Sequence, residues 1–81
     1  MTHGEILDKV ADIVGQVVGV DRLTLSPLTS AADVDGWDSL THVQIMVAVE
    51  RAFGVRFRTG DMASLANVGE LVDRIAARLS S

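Results

Sequence analysis

Between residues 6 and 17 the apolar positions Ile6, Leu7, Val10, Ile13, Val14 and Val17 return every three or four residues, which puts them on one face of a helix. Val and Ile favour strands by propensity, but a strand would send Val10 and Ile13 to opposite faces, so the periodicity decides for helix. Thr2 and Glu5 have capping-box spacing, Gly19 is a suitable C-terminal stop and Gly15 is a mild internal cost. The first helix is therefore predicted from about residue 3 to 18. Residues 19–37 lose the periodicity. Gly19, Asp21, Thr24, Ser26, Pro27, Thr29, Ser30, Asp33 and Gly36 are loop chemistry, whereas the interleaved Val20, Leu23, Leu25, Leu28 and Val34 predict a loop pinned to the core. A connection this long in a small domain is usually a functional one.

Helical spacing resumes at Asp38 or Ser39 and reaches about Phe53, with Leu40, Val43, Ile45, Met46, Val49 and Phe53 as its apolar set and Gly54 as its stop. Val47 and Ala48 widen that set. A helix apolar most of the way round is either deeply buried or offers a hydrophobic patch to a visitor. Residues 59–65 have room only for a short helical turn. Asn67, with Glu70 three residues on, is an N-cap for a last helix marked by Val68, Leu71, Val72, Ile75, Ala76 and Leu79, and Arg74 and Arg78 near its end suit the helix dipole. The pattern predicts an all-α fold: a bundle of three main helices plus one short helix, with a long first loop, in a single domain spanning residues 1–81.

Composition narrows the function. Eighty-one residues, 48% of them apolar, support one thin core and leave no room for a buried catalytic cleft. With no Cys there is no thiolate nucleophile, no disulfide and no thiolate metal site. The start Met1-Thr2-His3-Gly4-Glu5 lacks a basic region followed by an apolar run, and no run approaches the roughly 20 residues that span a bilayer, so a cytoplasmic protein that engages no membrane is expected. A net charge of −4 argues against nucleic acid as a partner. The charge is uneven: residues 1–50 hold eight carboxylates against Lys9 and Arg22, whereas residues 51–81 hold three against five arginines. That asymmetry is either plain surface solubility or a means of docking basic partners.

Ser39 is the chief candidate for chemistry. It lies in Asp35-Gly36-Trp37-Asp38-Ser39-Leu40, where polar loop gives way to apolar helix, and a hydroxyl at a helix N-terminus is exposed and sits where the dipole favours a phosphate. Asp38-Ser39-Leu40 resembles the prosthetic-group attachment motif of acyl carrier proteins. The resemblance extends over nearly the whole chain: the order of the helices, Val49-Glu50-Arg51-Ala52-Phe53-Gly54-Val55 at the end of the second helix, and Asn67-Val68-Gly69-Glu70-Leu71 at the start of the last. It implies a carrier without catalytic residues of its own. In such a carrier 4'-phosphopantetheine from coenzyme A is attached to Ser39 by a phosphopantetheinyl transferase. The thiol of the arm then presents acyl thioesters to acyl-loading, condensing and tailoring enzymes. It further implies that Leu40, Val43 and Val47 with Asp35, Asp38 and Glu50 form the partner-facing surface of a monomer.

The chain departs from the strongly acidic fatty-acid type. Thr41, His42, Gln44 and Arg51 stand where acidic residues are frequent, Arg56 and Arg58 follow, and Trp37 replaces a small residue. In this it resembles free-standing carriers of polyketide and related natural-product pathways. Fatty-acid and aminoacyl carriers are the alternatives, as is an unmodified helical interaction module in which Ser39 merely caps a helix. Other chemistries fail on spacing. Counting a calcium loop from Asp33 puts Asp38 where Gly is required and Gln44 where a bidentate Glu is required. His3 and His42 belong to no metal-ligand cluster, and His42, read as a surface residue one turn beyond Ser39, has no orienting acid beside it.

Overall fold

The computed structural model describes every residue except 22, 59, 61–64 and 81. Its elements are α1 (His3–Val18), a 3-10 turn (Ala31–Asp33), α2 (Ser39–Phe53) and α3 (Val68–Leu79), with no strand among the described residues. α1 packs against both α2 and α3. The short helix expected over 59–65 falls, apart from Gly60 and Leu65, outside the described residues.

Helix bounds follow local chemistry. The Thr2 hydroxyl accepts from the Glu5 amide and the Glu5 carboxylate accepts from the Thr2 amide, closing the predicted capping box of α1, while Gly19 and Gly54 end α1 and α2 in the left-handed conformation that glycine adopts without strain. Asn67 accepts from the Glu70 amide at the start of α3; there the Glu70 carboxylate reaches one residue further back, to the Ala66 amide.

The core is the meeting line of three apolar stripes. Ile6, Val10 and Val14 from α1, Ile45, Met46 and Val49 from α2, and Val68, Leu71 and Ile75 from α3 are its largest fully buried side chains. Burying each of these stabilises the fold by roughly 1.5–3 kcal/mol relative to leaving it exposed. Three apolar members of α2 stay out of this core: Leu40, Val43 and Val47 are exposed. The wide apolar circumference of α2 thus covers a buried stripe and a surface patch.

The long loop is pinned, but by fewer residues than the pattern predicts. Leu25 and Val34 are buried and Leu23 packs on the core, whereas Val20 and Leu28 are exposed. Leu28 lies in the turn closed by the Thr29 amide donating to the Ser26 carbonyl, which carries its side chain outward. Backbone bonds fasten the loop as well. The Val68 amide donates to the Thr29 carbonyl at 2.7 Å and the Gly69 amide to the Pro27 carbonyl at 2.8 Å, so loop carbonyls satisfy the first turn of α3. Gly15, expected to be a mild cost, proves to be required: the Gly19 and Val20 amides both donate to its carbonyl, and a Cβ there would stand 2.6 Å from the Val20 carbonyl oxygen.

Candidate functional site

The loop delivers Ser39 through a chain of local bonds that starts at the 3-10 turn. The Ser30 amide and hydroxyl both donate to Asp33, and they hold its carboxyl below the usual aspartate range. The Trp37 amide donates to the Val34 carbonyl. Gly36 has φ of 89°, a left-handed conformation, and a Cβ there would press on Val18 at 3.3 Å, so the sharp bend before the site calls for glycine on two counts.

Asp38, not Ser39, caps α2. Its Oδ1 accepts from the Leu40 amide at 3.0 Å and the Thr41 amide at 2.9 Å, and the Thr41 amide bond is the largest cause of a carboxyl pKa below the usual range. Thr41 reciprocates: its hydroxyl accepts from the Asp38 amide at 2.8 Å and donates to the Gly36 carbonyl at 2.7 Å. Ser39 is consequently the first helical residue, exposed, and its hydroxyl makes no hydrogen bond among the described residues. The reading of Ser39 as a plain helix cap is overturned, because the neighbouring carboxylate already fills that role.

A second fastening was not foreseen. The Trp37 indole N–H donates to His42 Nδ1 at 3.1 Å, and the two rings stack with centroids 6.1 Å apart at 24°. His42 is therefore half-buried against the loop instead of standing on the surface as its position one turn past Ser39 suggested. The bond needs an acceptor at Nδ1, so His42 is engaged as an anchor of Trp37 and is not available to take a proton from Ser39. A usable sequence signal existed in the five-residue spacing of Trp37 and His42 across a helix start, together with Thr41 at the third helical position.

The remaining predicted site residues divide into two groups. Asp38 is exposed next to Ser39 in the chain and Asp35 is exposed in the loop that leads to it, and Leu40, Val43 and Val47 run exposed along α2. Glu50 stands apart: it is half-buried and its Oε2 accepts from the Phe57 amide at 2.9 Å, tying down the segment after α2. No helix of the described residues is long and apolar enough to cross a membrane.

An exposed hydroxyl that makes no hydrogen bond among the described residues, at the rigid start of a helix and flanked by a capping aspartate and an apolar side chain, is the layout of a point of attachment. Residues 8–75 match the family model described as the phosphopantetheine attachment site. An acyl carrier protein of Acidothermus cellulolyticus is 39% identical over 76 residues, which are 94% of this chain and 90% of that protein. A meromycolate extension acyl carrier protein of Mycobacterium leprae is 35% identical over 75 residues, 93% of this chain and 65% of that protein. The solution structure of holo acyl carrier protein from Geobacter metallireducens superposes with a TM-score of 0.84 at 37% identity, covering 93% of this chain and 86% of that one. The protein belongs to the phosphopantetheine-attachment family. It is an acyl carrier of all-α fold: it tethers acyl groups through covalently attached 4'-phosphopantetheine and is not itself an enzyme. Its family works with transferases and acyl-processing enzymes.

Proposed function

We propose that Ser39 carries the 4'-phosphopantetheine arm, and that this single-domain, free-standing carrier hands acyl thioesters between enzymes of a cytoplasmic polyketide or related natural-product pathway. One observation carries the attachment site: Asp38 and Thr41 close the capping network of α2 between themselves, and the exposed Ser39 hydroxyl takes part in no hydrogen bond among the described residues. The hydroxyl fits the group. On the transferase it would lose its proton to a base of that enzyme and form the new oxygen–phosphorus bond as the pyrophosphate bond of coenzyme A breaks and adenosine 3',5'-bisphosphate leaves, with any metal ion supplied by the transferase. The resulting phosphodiester sits at the positive end of the α2 dipole. Once attached, the arm supplies the thiol that this cysteine-free chain lacks, and its tether raises the effective concentration of cargo at each enzyme.

The partner-facing surface is the exposed row Leu40, Val43 and Val47 with Asp35 and Asp38 at its head. Glu50 belongs at its margin, since its carboxylate is already taken by Phe57. The pathway reading rests on Trp37 and on the weak acidity of α2, whose one carboxylate is Glu50 and where His42, Gln44 and Arg51 stand in place of potential carboxylates. Lipid-chain extension is the second reading, favoured by the similarity to a meromycolate extension carrier.

The attachment is tested by intact mass after incubation with coenzyme A and a promiscuous phosphopantetheinyl transferase. The wild type should gain one phosphopantetheine and Ser39→Ala none, with unchanged circular dichroism. A mass gain retained in Ser39→Ala would move the site to another serine and sink the assignment. No gain in the wild type would instead favour an unmodified interaction module.

A further inference from the structure

The outward face of α2 changes chemistry along its length. Asp35 and Asp38 are exposed at its head, Leu40, Val43 and Val47 are 72%, 60% and 42% exposed along it, and Arg51 and Arg56 are exposed at its far end. Positions 40, 43, 47 and 51 share one stripe, because steps of three and four residues return to the same face of a helix. Two open depressions continue the stripe: one of about 650 Å³ includes Val43, Val47 and Arg51, and the next, of about 470 Å³, includes Val47, Arg51 and Arg56.

Among the described residues neither arginine has a counter-charge of its own. The nearby carboxylate Glu50 is turned to the Phe57 amide, and neither Arg51 nor Arg56 pairs with a carboxylate among the described residues. Arg51 lies in the last turn of α2, where a cation suits the dipole. That explanation does not reach Arg56, which stands beyond the left-handed Gly54 that ends the helix.

We propose that the far end of α2 docks an acidic protein surface. An acyl-processing enzyme that covers Leu40, Val43 and Val47 places Asp or Glu side chains against Arg51, about 18 Å along the helix axis from Ser39, and against Arg56 just beyond the helix end. The inference rests on the reading of α2 as the partner-facing helix and adds the sign of the partner at its second contact. Opposite charges at the two ends also fix the sense of docking. A helix acidic throughout attracts a basic surface in either direction along its axis, whereas a helix with one acidic and one basic end repels the reversed pose.

The test is loading of the holo-protein by its cognate acyl-loading enzyme, followed as KM and kcat across a salt series. Arg51→Glu combined with Arg56→Glu should raise KM about five- to tenfold at low salt, with the loss in KM and not in kcat and shrinking as salt screens it. Arg51→Lys with Arg56→Lys should hold close to wild type, and circular dichroism should show both variants folded. An unchanged or lowered KM in the glutamate variant, while Leu40→Ala with Val43→Ala still raises KM, would overturn the acidic partner and keep α2 as the docking face. Unchanged KM in both sets would remove the docking face itself. Sedimentation of the wild type supplies the last arm: a dimer abolished by the glutamate variant would make a second copy of this chain the occupant, against the proposal.

Discussion

Asp38 does two things at one position. It caps α2, and it stands as an exposed negative charge beside the hydroxyl proposed to be modified. Its carboxyl lies below the usual aspartate range because the charged form accepts amide hydrogen bonds, chiefly from Thr41; Asp33 and Glu5 are lowered in the same way by Ser30 and Thr2. A carboxyl with a depressed folded-state pKa contributes stability that is full above its unfolded-state value and is lost as pH falls through the folded-state value. Stability should therefore hold at neutral pH, begin to decline as pH falls into the usual carboxylate range and go on declining below it. Asp38→Asn keeps a capping oxygen without the titrating charge, so its stability should fall less steeply over that acid limb. Urea unfolding of both proteins between neutral pH and strong acid measures this, and parallel slopes would remove Asp38 from the titration. Residue chemistry of this kind was partly legible in the sequence. The Thr2–Glu5 and Asn67–Glu70 spacings announced caps, but at Asp38-Ser39 two adjacent residues could each cap, and only the bonds to Leu40 and Thr41 decide between them.

At the scale of the element, α2 separates stability from recognition on two faces of one helix. Ile45 is fully buried, so Ile45→Ala should cost about 2–5 kcal/mol by denaturant unfolding. Leu40→Ala and Val43→Ala remove exposed side chains and should stay within about 0.5 kcal/mol of wild type. The same two variants should nevertheless slow acyl loading more than Glu70→Ala on α3 does, and equal loading by all three would count against α2 as the docking face. The helices were legible because a period near 3.6 survives in their sequences. What periodicity could not assign was which of two apolar arcs on α2 faces inward, since Leu40 and Val43 are as hydrophobic as Val49. Loop burial escaped for a related reason: in irregular chain, composition has no phase, so Leu25 and Leu28 read alike although a single turn sends one inward and the other to solvent. The Trp37–His42 pair joins loop to helix through side-chain geometry that no repeat reveals.

For the molecule as a whole, the surface decides which pathway it serves, because the fold is shared by carriers of differing cargo and the arm is common to the family. Arg51, Arg56 and Arg58 at and beyond the end of α2 weaken the steering that a strongly basic fatty-acid enzyme would exert. Loading of the holo-protein by a fatty-acid malonyl transferase should accordingly be slower than by a polyketide-type loading enzyme across a salt series. Efficient, strongly salt-sensitive loading by the fatty-acid enzyme alone would make lipid-chain extension the better reading. A last consequence belongs to the joint between the long loop and α3. Because the Val68 and Gly69 amides donate to Thr29 and Pro27 and not to solvent, these two protons are shielded only while the loop lies against the bundle. Their deuterium exchange is thus a clock for loop departure, read at two adjacent amides remote in sequence from the segment they report on. Placed in turn against apo, holo and acyl-loaded protein, that clock would show whether cargo tightens or loosens the strap that holds Ser39 in place.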